Sequence, residues 1–149
     1  MEGVRVAVEA DLPEIRSLVA DAYALYTPRI GRVAGPVLSD YAALVQQHAV
    51  HVLEDAHKIA GVLVVIEGEH GFLLDNVAVR LDAQGKGFGR RLLEYAETLG
   101  QRKGYEVLRL YTNEVMVENL ALYGRLGYVE THRIEEDGYR RIYMKKRLV

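Results

Sequence analysis

The chain has 149 residues, half of them hydrophobic and 27% charged, with no cysteine and a formal net charge of −2. That length suits one domain, 1–149, with a core of its own. The composition excludes disulfides and a thiol nucleophile, fits a reducing cytoplasm, and offers no basic surface to nucleic acid. No apolar run has the length of a membrane span or the form of a secretory signal, so neither is expected.

Val4 to Val8 alternates weakly and predicts a first strand. Asp11 reads as a helix N-cap, with Pro13 in the first turn and Glu14 three residues after the cap. Ile15, Leu18, Val19, Ala22, Leu25 and Tyr26 then fall at helical spacing and predict one apolar face. Tyr26 to Arg32 reads as a loop, because Thr27 precedes a proline and is pushed out of helical geometry. Ser39 is the expected cap of a short helix over 40–47, with Tyr41, Leu44 and Val45 inward. His51 to Glu54 and Ile59 to Glu67 form a hairpin around 55–58. Gly68 to Gly71 turns into a continuous apolar run, Phe72 to Val79, that suits a strand buried on both faces.

The next helix runs to about Lys103 and buries Leu92, Leu93, Ala96 and Leu99, with Gly104 just past its end. Val107 to Tyr111 is another buried strand. A helix ending at Gly127 follows, then a hairpin of Tyr128 to Ile134 and Tyr139 to Lys145 around Asp137-Gly138. The order β-α-α-β-β-β-α-β-α-β-β predicts an α/β fold, a mixed sheet with helices on both faces. His48, His51, His57, His70 and His132 show no metal-ligand spacing and are expected at the surface or in loops, so no metal is expected.

The chemistry concentrates in Gly71 to Arg91, where the central strand leads through Gln84-Gly85-Lys86-Gly87-Phe88-Gly89 into a helix. Glycines let a backbone turn tightly and bring its amides close to a ligand. The helix start adds unpaired N–H groups and the positive end of its dipole. Such a turn suits a phosphate or pyrophosphate. The P-loop pattern is absent, and the glycine spacing and the missing acidic residue rule out the dinucleotide fingerprint. What fits is [RQ]-x-x-G-x-[GA], as Gln84-x-x-Gly87-x-Gly89. This stretch resembles the acetyl-CoA-binding segment of the GNAT superfamily of N-acetyltransferases. The element order is that of the GNAT fold, a mixed and mostly antiparallel sheet, so the resemblance covers nearly the whole chain.

The resemblance implies acetyl-CoA as co-substrate. It implies a pyrophosphate held by backbone amides at Gln84, Gly85, Lys86, Gly87, Phe88, Gly89 and Arg90. It also implies pantetheine contacts along Val77, Ala78 and Val79, with the Val77 amide polarising the thioester carbonyl. Asn119 to Tyr128 resembles the second GNAT signature, a helix carrying a tyrosine followed by L-G-[FY]. The resemblance makes Tyr123 the acid that protonates the departing thiolate, which is poorly solvated in an apolar cleft. The chain departs from the family at Met116, where many relatives carry asparagine. Asn119, one helical turn before Tyr123, either replaces that amide contact to CoA or serves as the N-cap of the helix.

An amine must lose a proton before it attacks. Asp75, expected in phase with Leu73, Val77 and Val79, is the leading candidate base, and polyamine-acetylating relatives carry an acidic residue there. A structural role for Asp75, bound to a backbone amide or an arginine, is the other reading. Glu67 and Glu69 are weaker candidates. Tyr26, Arg29 and Arg32 are expected to line the acceptor site with Asp75, either arginine attracting a carboxylate or simply being solvated. With no cysteine and no serine on a nucleophile elbow, the expected reaction is direct acetyl transfer to a small-molecule or peptide amine. A non-catalytic acyl-CoA sensor and a transferase of another acyl group are the alternatives, and a homodimer is left open.

Overall fold

The computed structural model describes residues 3–69 and 71–149; His70, which the sequence places in a turn at the surface, lies outside them. One sheet carries seven strands in the order β1-β2-β3-β4-β5-β7-β6. They are β1 Val4–Val6, β2 Val50–Asp55, β3 Lys58–Gly68, β4 Gly71–Val79, β5 Val107–Asn113, β6 Val129–Glu136 and β7 Tyr139–Arg147. The β4–β5 pair is parallel and every other pair is antiparallel, with β7 inserted between β5 and β6.

Helices cover both faces, as expected from the element order. On one face, α4 (Phe88–Arg102) lays Leu92, Leu93 and Ala96 on Phe72, Leu74, Leu108, Leu110 and Ile142. Its approach is close: a Cβ at Gly100 would stand 2.8 Å from a Leu148 methyl and 3.0 Å from the Phe72 ring. On the other face, α1 (Leu12–Ala24) and α3 (Tyr41–Gln46) bury Ile15, Leu18, Val19, Tyr41 and Val45 against Val50, Val52, Val62, Val64 and Ala78. α5 (Val117–Arg125) follows β5 and buries Tyr123.

Several local expectations are corrected. The loop over Tyr26 to Arg32 contains one helical turn, α2 (Thr27–Ile30), closed by Gly31 in the left-handed region. Pro28 is tolerated in it because a first-turn N–H has no intrahelical partner to lose. Asp40, not Ser39, caps α3, accepting from the Ala43 amide at 3.1 Å. Asp11 is the N-cap of α1 as expected, but its side chain makes no cap bond there and forms no capping box with Glu14. Asp11 accepts from Arg5 and from the Val8 amide, and Glu14 reaches across to the Ile59 amide at 2.7 Å. Leu25 is 62% exposed, and Tyr23 takes the buried place on that face of α1. His51 is not at the surface. It is buried on β2, its Nδ1 3.1 Å from the Tyr95 hydroxyl, and burial pushes its pKa down to about 4.

The central strand is not buried on both faces. Phe72, Leu74, Asn76 and Ala78 are buried, whereas Leu73, Asp75, Val77 and Val79 stay partly open. Its alternation also breaks, because the register with β3 shifts between Val64↔Asn76 and Val65↔Leu74, leaving Asp75 as the extra residue of a bulge. Leu74 and Val77 therefore pack in the same core despite their odd separation. Asp75 is thus out of phase with Val77 and Val79, because a bulge puts one residue more on its strand than on the partner.

Candidate active site

The site lies where the sheet splits. β4 and β5 pair only at Phe72↔Leu108, Leu73↔Arg109 and Leu74↔Leu110, although both strands run on. Beyond Leu74 the inner edge of β4 has lost its parallel neighbour. Which backbone groups face the gap follows from antiparallel alternation. The Arg80 amide bonds the Ala60 carbonyl at 2.8 Å, so Ala78 and Asn76 also turn their bonds toward β3. Val77 and Val79 then turn their backbone groups into the gap. Their carbonyls agree: Gln84 Nε2 donates to Val79 O at 3.3 Å, and Val77 O lies 3.1 Å from the Tyr23 hydroxyl.

Two spaces meet at this split. The larger is a groove lined by Val77, Ala78 and Val79 of β4, by Gln84, Gly85, Gly87, Phe88, Gly89 and Arg90 of the turn and α4, and by Asn119 and Tyr123 of α5. Lys86 stands outside it. Gly85 and Gly87 have φ of 83° and 81°, and the position of a Cβ on either is open space. Gly87 is the N-cap of α4 and brings no side chain to cap it. The first helical bond runs from Arg91 N to Gly87 O at 3.1 Å. The amides of Phe88, Gly89 and Arg90 therefore precede the ladder, at the positive end of a helix running to Arg102. An open, side-chain-free cradle of N–H groups fits a pyrophosphate, and the Val77 and Val79 edge continues it inward.

The smaller space is a chamber between β4, β5, β7 and the one-turn 3₁₀ segment Gly35–Leu38. Asp75 lies at its wall and accepts from the Tyr111 hydroxyl at 2.6 Å. Burial raises the Asp75 pKa, opposed by the Tyr111 hydrogen bond and the positive charge of Arg141. Next to it, Asn76 is locked from both sides. It accepts from the Tyr23 hydroxyl at 2.5 Å and donates to the Tyr41 hydroxyl at 2.9 Å, and Tyr41 donates to Pro36 O at 2.6 Å. This chain of bonds ties α1, β4, α3 and the 3₁₀ segment together around the bulge.

Tyr123 borders both spaces. It is 4% exposed, and burial raises its pKa, so the hydroxyl is protonated at neutral pH. Among the described residues no buried side-chain polar atom lacks a partner unless it touches solvent. The Tyr123 hydroxyl makes no hydrogen bond there, so it opens to the cleft. Asn119 also borders both spaces. It is not the N-cap, which is Met116, but sits within the first turn and points Nδ2 at the Met116 sulfur, 3.6 Å away.

The remaining candidates spread out. Tyr26 lines the groove beside the glycine turn, not the chamber, and donates to Glu118 at 3.3 Å. Arg29 lines neither space and pairs with Glu118 at 2.7 Å. Arg32 stacks 4.4 Å over the Tyr139 ring and donates to Asp137 O at 3.2 Å, also outside both. Glu67 is held by Lys103 and Tyr105 at the far end of the sheet, and Glu69 lies near it. The sequence reading missed Tyr23, Asn76, Tyr111, Tyr139 and Arg141, all lining the chamber. Tyr139, Arg141 and Tyr143 do share one face of the last strand by alternation, but nothing local to that strand says what the face meets.

Comparison with known proteins agrees with this architecture. Residues 46–130 match the family described as an acetyltransferase (GNAT) domain. Across 99% of the chain, the fold superposes on 94% of the ribosomal-protein-S18-alanine N-acetyltransferase from Escherichia coli, with a TM-score of 0.76 at 21% identity. A putative acetyltransferase from Salmonella typhimurium, solved with its cofactor acetyl-CoA, superposes over 98% of the chain and 93% of its own, with a TM-score of 0.74 at 19% identity. N-alpha-acetyltransferase 80 of Mus musculus is 36% identical over 64 residues, 43% of this chain and 19% of that protein. The matched stretch thus spans about a fifth of the curated relative. The chain belongs to the GNAT acetyltransferase superfamily and has its fold.

Proposed function

We propose that the protein is an acetyl-CoA-dependent N-acetyltransferase in which a primary amine attacks the thioester directly in a ternary complex. The observation that carries the reading is the shared border. Tyr23, Val77, Asn119 and Tyr123 line both the groove and the chamber. A donor in the one and an acceptor in the other would meet there without a covalent relay.

In this reading the amides of Phe88, Gly89 and Arg90 hold the pyrophosphate, and the Val77 and Val79 edge aligns the pantetheine arm. The Val77 N–H stabilises negative charge that develops on the thioester oxygen. Asp75 takes the proton of the incoming ammonium, directly or through water. Its raised pKa brings a carboxylate nearer to the range useful to a general base. The new N–C bond forms, the C–S bond breaks, Tyr123 gives its proton to the leaving sulfur, and the second proton lost by the nitrogen returns to Tyr123 through water. Burial that raises the phenol pKa raises that of a thiol in the same cleft too, so the donor stays matched.

The test is acetyl-CoA with a panel of amines, reading thiol release, and intact-mass measurement of the protein incubated with acetyl-CoA alone. Thiol release that depends on the amine, with no acetylated protein, supports the reading. Tight acetyl-CoA binding without release for any amine would convert it into that of a binding domain.

A further inference from the structure

The charges of the chamber define its occupant more narrowly than an amine. Of the described residues that line it, only Asp75 and Arg141 carry charge. They stand on different strands, β4 and β7, joined through one tyrosine. Tyr111 donates to Asp75 at 2.6 Å, and the Arg141 guanidinium lies 4.6 Å over the same ring. Arg141 is 17% exposed, and its ion pair with Glu136 is 3.6 Å long, longer than a hydrogen bond. Glu136 Oε1 already accepts from the Tyr143 hydroxyl at 2.5 Å. A guanidinium stacked on a ring presents its N–H edge to an in-plane carboxylate, a geometry suited to two parallel hydrogen bonds. A plain amine or a polyamine would be held by Asp75 but would sit, still cationic on entry, beside the partly buried Arg141 charge. A molecule with both an amine and a carboxylate satisfies both walls.

The roof limits the size. The backbone of Gly35 lies over Arg141, and a Cβ there would be in ordinary contact with Nη2 at 3.4 Å. The roof is pinned by the Tyr41 bond to Pro36 O and by the Tyr139 bond to Val33 O at 2.5 Å. This favours a free small molecule over an amine on a folded polypeptide.

Resting on the transferase reading, we propose that the acceptor is a free amino acid, its amine toward Asp75 and its carboxylate on Arg141. The test uses acetyl-CoA with common L-amino acids, short β- and γ-amino acids, their decarboxylated amines, and amidated tetrapeptides. At least one amino acid should exceed its decarboxylated amine in kcat/KM by roughly 10- to 100-fold, the worth of charge-assisted hydrogen bonds. Arg141→Met should close that ratio to within about threefold, and Arg141→Lys should restore part of it. Calorimetry with acetyl-CoA, unchanged in both variants, would show that they fold. A parent that prefers the decarboxylated amines or the tetrapeptides overturns the inference and leaves the transferase reading standing. An Arg141→Met variant that keeps the full ratio overturns it as well. Acetyl-CoA binding with no thiol release from any acceptor overturns both.

Discussion

The groove and the chamber are neighbours built by opposite means. The groove is made of backbone: a left-handed glycine, a bare helix start and the unpaired edge of one strand. Its backbone parts lie within one stretch of chain, from Val77 to Arg90, with α5 and the end of α1 closing the sides. The chamber is made of side chains brought from distant elements. Asp75, Tyr111 and Arg141 touch only because the sheet places β4, β5 and β7 side by side. Backbone recognition suits an invariant donor, since any residue that preserves the turn will serve. Side-chain recognition suits an acceptor, since each substitution changes what fits.

If that division holds, the largest effect comes from spoiling the backbone cradle. Gly87→Asp adds a side chain at φ 81°, which costs about 1–2 kcal/mol of backbone strain, and puts a negative charge where the pyrophosphate would lie. Acetyl-CoA affinity should fall by at least roughly 100-fold by calorimetry, equivalent to about 2.7 kcal/mol. Gly31→Asp is the control. Gly31 has φ 86° and open space around it, but it lies on the loop after α2, so the same strain should leave affinity unchanged. Equal affinities in the parent and both variants would remove the glycine turn from the donor site.

Tyr123 belongs to the border, and its effect should appear in chemistry alone. Tyr123→Phe keeps the ring against Tyr128, 6.0 Å between centroids, and loses a hydroxyl that makes no protein hydrogen bond. Acetyl-CoA affinity and fold should hold while kcat falls by roughly ten- to a thousandfold, the range of general acid catalysis. Single-turnover transfer at saturating acetyl-CoA measures the chemical step. Equal rates would reduce Tyr123 to packing.

The same division explains what was legible in the sequence. The glycine turn, the strand before it and the helix after it are local patterns, and Gln84, Gly87, Gly89 and Tyr123 stood out through motifs that resemble those of the GNAT superfamily. The bulge at Asp75 was not legible, because it is a relation between β3 and β4 and nothing in Leu74-Asp75-Asn76 announces it. That hid Asn76 and its two tyrosine partners. Arg29 and Arg32 looked like acceptor ligands because they sit together in a loop. Their partners, Glu118 and the Tyr139 ring, lie far along the chain. Arg141 drew no notice in the sequence, and only the fold sets Gly35 over it.

Asp75 sharpens the comparison through pH. Its pKa is raised in the folded chain, chiefly by burial, so the fold binds this proton more tightly than the unfolded chain does. Its contribution to stability is then full below the ordinary carboxylate pKa, near 3.9, and is lost as pH rises through the raised value. Asp75→Asn, which still accepts from Tyr111, should therefore melt higher than the parent at about pH 7 and no higher at about pH 3. Turnover should move the other way, falling by about tenfold or more and most steeply at low pH, where few amines are already neutral. A Tm gain without a change in the pH–rate profile would keep the burial account and discard the base.

The smallest effect is expected at Arg29, and its smallness is informative. The guanidinium pairs with Glu118, with side chains 39% and 51% exposed, and stacks 5.3 Å from the Tyr26 ring. Glu118 and Tyr26 line the groove, whereas Arg29 lines neither space. Exposed pairs of this kind contribute little, because water screens both charges and two long side chains must be held still. Arg29→Ala should therefore change the KM of both acetyl-CoA and acceptor by no more than about twofold, with any residue of effect on the acetyl-CoA side. The Arg29 pairing also makes a salt test possible: raising ionic strength should abolish even that small difference. A selective rise in acceptor KM would mean that the groove mouth, and not only the chamber, reads the acceptor, and the line between backbone and side-chain recognition would have to be drawn nearer to α2.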